Sequence, residues 1–167
     1  MRETVRSRGT GRMGDHGGPY LFDVGVIALA HTDAPVRDAA LSYVRDAIAG
    51  EIDAVVPHPA VYGAHEVLTT YYGYANADAS RLMSNFLDAK RIHWHDRLPE
   101  ATVRGGLDRA AEADVGGWDG YYAQVAVEEG VNTVLTIDDD FERFDAFETE
   151  VILSRAEFET LNEYLRE

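Results

Sequence analysis

Hydrophobic positions along this chain fall into short apolar runs that alternate with stretches of helical period. Pro19-Tyr20-Leu21-Phe22-Asp23-Val24 is an apolar run ending in an acid, with the length and composition of a buried strand. Gly25 to His31 continues as a short helical turn. Val36, Ala40, Tyr43, Val44, Ala47 and Ile48 recur at helical spacing, with Pro35 at the start and Gly50 at the end. Asp53 to Val56 reads as a second strand, closed by Pro57. A helix from Pro59 turns Val61, Ala64, Leu68, Tyr71 and Tyr72 inward and stops near Gly73. Another runs from about Asp78 to Ala89 with Leu82, Met83, Phe86 and Leu87 inward.

Ile92-His93-Trp94 is the third strand. Helices from about Pro99 to Ala113 and from near Asp119 to Gly130 are separated by a Gly-Gly break. Thr133 to Ile137 is the clearest strand, bounded by Asn132 and the acids Asp138 to Asp140. Val151 to Leu153 is the last, and Ser154-Arg155-Ala156-Glu157 is a capping box that opens the terminal helix. Strands alternating with helices predict an α/β protein with an open, central parallel sheet between helical layers. In such sheets ligand sites gather beyond the carboxyl ends of the strands. Residues 1–18 lack an apolar period and read as a disordered arm, leaving 19–167 as one domain, with Met13 an alternative start.

Composition narrows the chemistry. The 167 residues contain no cysteine, which excludes disulfides, thiolate metal sites and cysteine nucleophiles. No apolar run reaches the roughly 18–20 residues of a membrane span, and the N-terminus has arginines without an apolar core, so a cytoplasmic location is expected. Acidic residues number 30 against 15 basic, a net charge of −15, and Lys90 is the single lysine. Four arginines against Glu3 before Met13 make that segment +3, so the rest carries −18. Acidity with almost no lysine points to a halophilic source. There the Debye length is about 3 Å at 1 M salt, so a polyanion can still meet a nucleic acid.

Asp23 and Asp138 close their strands and should share the crevice at the carboxyl edge of the sheet. Asp119 stands near the start of its helix, where a carboxylate can also act as a cap. Glu66 lies mid-helix near the apolar stripe. Several carboxylates in one crevice repel one another unless a cation intervenes, and oxygen-only ligands select hard ions such as Mg²⁺ or Mn²⁺. There is no G-x-x-x-x-G-K-[ST] loop and no dinucleotide fingerprint. Gly25 excludes the paired aspartates of haloacid dehalogenase phosphatases, and Lys90 is misplaced for a phosphoreceiver domain.

The segments LFDVGVIALA (21–30), HEVL (65–68), WDGYYAQVAVEEG (118–130) and NTVLTIDDDF (132–141) together resemble a PIN domain, most of all its VapC-like group of toxin nucleases. The resemblance spans about 19–165, and its best element is Thr136-Ile137-Asp138-Asp139-Asp140-Phe141, similar to the family's T-x-D-x-D-F. It implies a PIN-like three-layer α/β/α fold and a Mg²⁺- or Mn²⁺-dependent ribonuclease. Asp23, Glu66, Asp119 and Asp138 would be its catalytic and metal-binding acids, with water attacking an RNA phosphodiester. It also implies a homodimer and a separate antitoxin that covers the crevice. The alternative is a PIN-fold RNA-binding or processing subunit with weak or no cleavage. Asp140 and Thr136 are candidates to support the acids. The family often has Ser or Thr two residues after the first acid, where this chain has Gly25, and His65 replaces a small polar residue before Glu66.

His93 and His95 would share one strand face, a conceivable metal pair without neighbouring sequence acids at ligand spacing. Tyr62, Tyr71, Tyr72, Tyr74, Tyr121 and Tyr122 read mostly as core or dimer-interface residues at helical spacing, although tyrosines can stack bases. Trp118 is either a core anchor or a wall of the crevice. Glu142 to Glu150 reads as solvated surface.

Overall fold

The computed structural model describes residues 17–167; most of the expected N-terminal arm lies outside the described residues. Gly17 and Gly18 are held at their carbonyls by the side chains of Thr133 and Asn132. The chain then runs β1 (Tyr20–Phe22), α1 (Val24–Ala30), α2 (Arg37–Ala49), β2 (Ala54–Pro57), α3 (His58–Thr70) and α4 (Asn76–Leu87). It continues with β3 (His93–His95), α5 (Glu100–Ala113), α6 (Gly117–Glu128), β4 (Thr133–Thr136), β5 (Glu148–Val151) and α7 (Arg155–Arg166). All five strands are parallel, in the order β3-β2-β1-β4-β5, and helices flank the sheet. This is the α/β arrangement that alternating strand and helix signals require, because parallel neighbours need helical crossovers.

The central strands β1, β2 and β4 are buried along their whole length, which accounts for their uninterrupted apolar runs. α2 ends at Gly50, whose φ of 75° is the left-handed cap that a Cβ would strain. α5 and α6 lie against each other with Gly106 facing Gly120, and a Cβ on Gly120 would overlap the Gly106 carbonyl. α7 opens on the expected capping box of Ser154 and Glu157.

Three readings of the sequence need correcting. The last strand is Glu148–Val151 rather than 151–153, and the acid-rich segment 142–150 is not simply solvated surface. A 3-10 turn at Asp140–Arg143 buries Phe141, and Phe144 and Phe147 follow it in a chain of ring contacts at 6.1 and 5.8 Å. Glu150 is itself buried, accepting a 2.8 Å hydrogen bond from the Tyr43 hydroxyl that ties α2 to the edge strand. Tyr71 also departs from expectation: it caps α3 and is exposed.

Candidate functional site

β1 and β4 are adjacent, with Phe22 opposite Leu135, so the register carries Asp23 alongside Thr136 at the carboxyl edge. The Asp23 amide donates to the Leu135 carbonyl at 3.0 Å, which extends the ladder by one bond. Asp23 then caps α1: its Oδ1 accepts from the Val24 amide at 2.8 Å. Its Oδ2 accepts from the Thr136 hydroxyl at 3.0 Å. That hydroxyl also accepts from the Asp138 amide at 3.3 Å, and Asp138 Oδ1 accepts from the Asp140 amide at 3.0 Å. Thr136 thus links the first strand-end acid to the turn that presents the other. Asp140 likewise opens the 3-10 turn and steadies Asp138 through its backbone.

Asp119 sits in the first turn of α6, but the N-cap is Gly116, so Asp119 does not cap the helix. Asp23, Glu66 and Asp119 line one cavity of about 360 Å³. Asp138 lines a neighbouring one with Asp139, Arg155 and Phe158. Glu66 is exposed on the outer part of α3, where it stands free of the apolar stripe.

The electrostatics show how the acids sense one another. Burial pushes the Asp23 carboxyl up to about 7 from an ordinary 3.8; the Asp138 and Asp119 charges add to this, while the Thr136 and Val24 hydrogen bonds oppose it. Asp119 rises to about 6 through burial and the charges of Asp140 and Asp138. Asp138 is raised too, chiefly by burial and then by Asp140 and Asp139, against the hydrogen bonds from the Asp140 amide and Thr136. Asp23 and Asp119 in one cavity, with the Asp138 charge acting on both, form a hard, oxygen-only donor set, which suits a divalent cation. Among the described residues, however, no three Asp, Glu or His side chains stand close enough to hold an ion as they are placed. The donor chemistry fits a metal, while the ligand shell is not already drawn together.

Gly25 has a local reason. A Cβ there would come 2.9 Å from Ile137 Cγ1 and 3.0 Å from Cδ1. In this chain the bulk of Ile137, between Thr136 and Asp138, fills the space that a serine or threonine would need.

His93 and His95 do meet an acid, but from a distant part of the sequence. Their ring nitrogens lie 3.0 and 2.6 Å from the two carboxylate oxygens of Glu129, at the end of α6. The cluster fastens the edge strand β3 to α6 through an acid that does not neighbour the pair in sequence. His65 is half-buried, its Nε2 3.0 Å from Ser80 Oγ on α4.

Of the two readings open for Trp118, the structure takes the crevice wall, and it adds Tyr62, which the sequence placed mostly in the core or a dimer interface. Trp118 and Tyr62 both line the cavity of Asp23 and Asp119, and both are exposed. Helical spacing alone could not assign Tyr62 to the outer face, because its neighbour Val61 carries the inward stripe.

The chain is similar in structure to PAE2754 from Pyrobaculum aerophilum, with a TM-score of 0.55, 20% identity and coverage of 93% of this chain and 98% of the other. It is also similar to FitAcB from Neisseria gonorrhoeae, with a TM-score of 0.53, 18% identity and coverage of 78% and 95%. The fold is PIN-like, an α/β architecture around a five-stranded parallel sheet. No protein-family profile and no curated protein matches the sequence. No helix among the described residues is long and apolar enough to cross a membrane.

Proposed function

We propose that this protein is a metal-dependent endoribonuclease of the PIN type, acting as the toxin of a toxin–antitoxin pair. The observation that carries the reading is the gathering of Asp23, Asp119 and Asp138 at the carboxyl edge, where Asp138 raises the pKa of both Asp23 and Asp119, and Asp119 adds to that of Asp23. Asp23, Asp119 and Asp138, with Glu66 on the cavity wall, would hold Mg²⁺ or Mn²⁺, which when bound supplies an activated water and offsets charge on the scissile phosphate. Thr136 fixes the Asp23 carboxylate against the Asp138 turn, so it is a positioning residue. Asp140 orients Asp138 through its amide. The toxin context is supported by the resemblance of segments 21–30, 65–68, 118–130 and 132–141 to VapC-like nucleases and by the fold shared with FitAcB. A homodimer and an antitoxin that inserts an arginine among these carboxylates belong to the same reading.

A binding role with little cleavage is the second reading, and Gly25 favours it, since no hydroxyl stands at that position beside Asp23. Cleavage of RNA by the wild type and by Asp119→Asn and Glu66→Gln separates the two. The nuclease reading expects loss of at least about 100-fold in each variant with Mg²⁺ or Mn²⁺ present. Absence of cleavage by folded wild type under every metal condition favours the binding role.

A further inference from the structure

The acid cavity carries an aromatic feature that the hydrolytic chemistry does not use. Among the large apolar and aromatic side chains exposed in the described residues, the two most exposed are Tyr62 at 84% and Trp118 at 64%. A single exposed aromatic needs no explanation, but these two come from different helices and line the same polar cavity as Asp23, Glu66 and Asp119. Trp118 is also held in place. Its ring stacks on Tyr122 with centroids 5.9 Å apart and planes 22° apart, and meets Tyr121 edge-on at 6.0 Å. One broad face of the indole is therefore packed on Tyr122, and much of the remainder is offered to solvent beside Asp119.

The charge balance says what such surfaces are for. No residue lining this cavity is cationic, and the protein as a whole carries −15. A polyanion entering the crevice gains nothing from phosphate contacts with that lining. Base stacking is neutral, tolerates any sequence, and contributes about 1–3 kcal/mol per base. Base faces are free only where the strand is unpaired. Tyr62 also borders a second cavity of about 400 Å³ between α3 and α4, lined by His58, His65, Ser80 and Met83. A chain leaving the acid cavity on that side therefore crosses the Tyr62 ring.

We propose that Trp118 and Tyr62 are stacking platforms for the nucleobases on either side of the phosphate that enters the acid cavity, so that the strand is gripped by its bases. This rests on the nuclease reading for the identity of the phosphate. The grip itself is measured apart from cleavage.

The experiment uses the full chain with Ca²⁺ in place of Mg²⁺, in about 1 M KCl, where long-range repulsion is screened. Trp94→Phe leaves Trp118 as the one remaining tryptophan of two. A fluorescein-labelled single-stranded oligoribonucleotide is titrated by anisotropy, and the unlabelled strand by tryptophan emission. The expected result is quenching of Trp118 by the single strand, weaker with a duplex or with a strand of abasic sugars. Trp118→Ala and Tyr62→Ala should each weaken binding about tenfold, and Trp118→Phe and Tyr62→Phe should recover most of it. Unchanged affinity in both alanine variants overturns the proposal, as does absence of quenching by a strand that binds, or absence of binding by folded wild type. Conversion of a dimer to a monomer by either alanine variant, with RNA affinity unchanged, assigns these rings to a second copy and also overturns it. Base-dependent quenching without any cleavage in Mg²⁺ or Mn²⁺ sustains the platforms while removing the nuclease reading. Cleavage that needs Asp23 but is indifferent to both rings removes the platforms alone.

Discussion

The Thr136 hydroxyl donates to Asp23 Oδ2 at 3.0 Å, joining two residues 113 positions apart, and both are buried. The bond exists because β1 and β4 are parallel neighbours in register, so the residue after Phe22 falls beside the residue after Leu135. It lowers the Asp23 pKa against the larger effects of burial and the Asp138 charge. Thr136→Val keeps the shape and removes the donor. The expected cost is about 1–2 kcal/mol of stability, measured by urea unfolding near neutral pH. The same variant should move the acid limb of any cleavage pH profile upward, since Asp23 then holds its proton more tightly. Thr136→Ser should restore the profile.

Asp23 also makes a prediction about pH. Its folded pKa of about 7 lies above the unfolded value of 3.8, so between those limits the native state binds the extra proton. The Asp23 contribution to the stability of the metal-free protein should therefore be complete below about pH 3.8 and be lost as pH rises through about 7, by an amount on the order of 2–4 kcal/mol. Asp23→Asn should flatten this slope and melt higher than wild type at pH 8 in metal-free buffer. Equal slopes in thermal melts of the two proteins would contradict the buried, crowded carboxyl.

Gly25 and Ile137 should be coupled. Gly25→Ser places a Cβ 2.9 Å from Ile137 Cγ1 and should cost about 1–3 kcal/mol. In an Ile137→Ala background the same serine should cost much less. A double-mutant cycle by urea denaturation reads the difference, and strict additivity would remove the steric explanation.

These relationships mark what a sequence can show. The strand that ends in Asp23 and the Thr136-Ile137-Asp138 run were legible because buried parallel strands are uninterrupted apolar runs, and chemistry collects at their carboxyl ends. The capping box at Ser154 was legible for the same local reason. β5 was misplaced by three residues because Glu148, Thr149 and Glu150 read as surface. The partner that buries Glu150 is Tyr43, more than a hundred residues away. Glu129 was passed over as a partner for His93 and His95 on similar grounds, since only the packing of α6 on the sheet edge brings it there. Trp118 and Tyr62 were ambiguous because helical period ranks faces by average hydrophobicity and cannot say that a cavity opens beside one of them.

The Glu129 cluster is read as a fastening, and that too can be checked. His95 is buried, with its Nδ1 on one carboxylate oxygen and its Nε2 without a hydrogen-bond partner among the described residues. Glu129→Ala leaves Nδ1 unpaired as well and should destabilise by about 1–3 kcal/mol. RNA cleavage, scaled to the folded fraction, should not change. Added Zn²⁺ should leave the melting temperature of the wild type where it is; a rise of several degrees that Glu129→Ala abolishes would make the cluster a metal site.

The central claim is that the carboxyls around Asp23 hydrolyse RNA with a divalent cation. Its most direct test is incubation of total RNA with the protein in about 1 M KCl with Mn²⁺ or Mg²⁺, wild type beside Asp23→Asn, with folding verified in each. The account predicts discrete fragments from the wild type in the presence of metal, none after chelation and none from Asp23→Asn. Cleavage that persists in Asp23→Asn, or intact RNA with folded wild type and metal present, would contradict it.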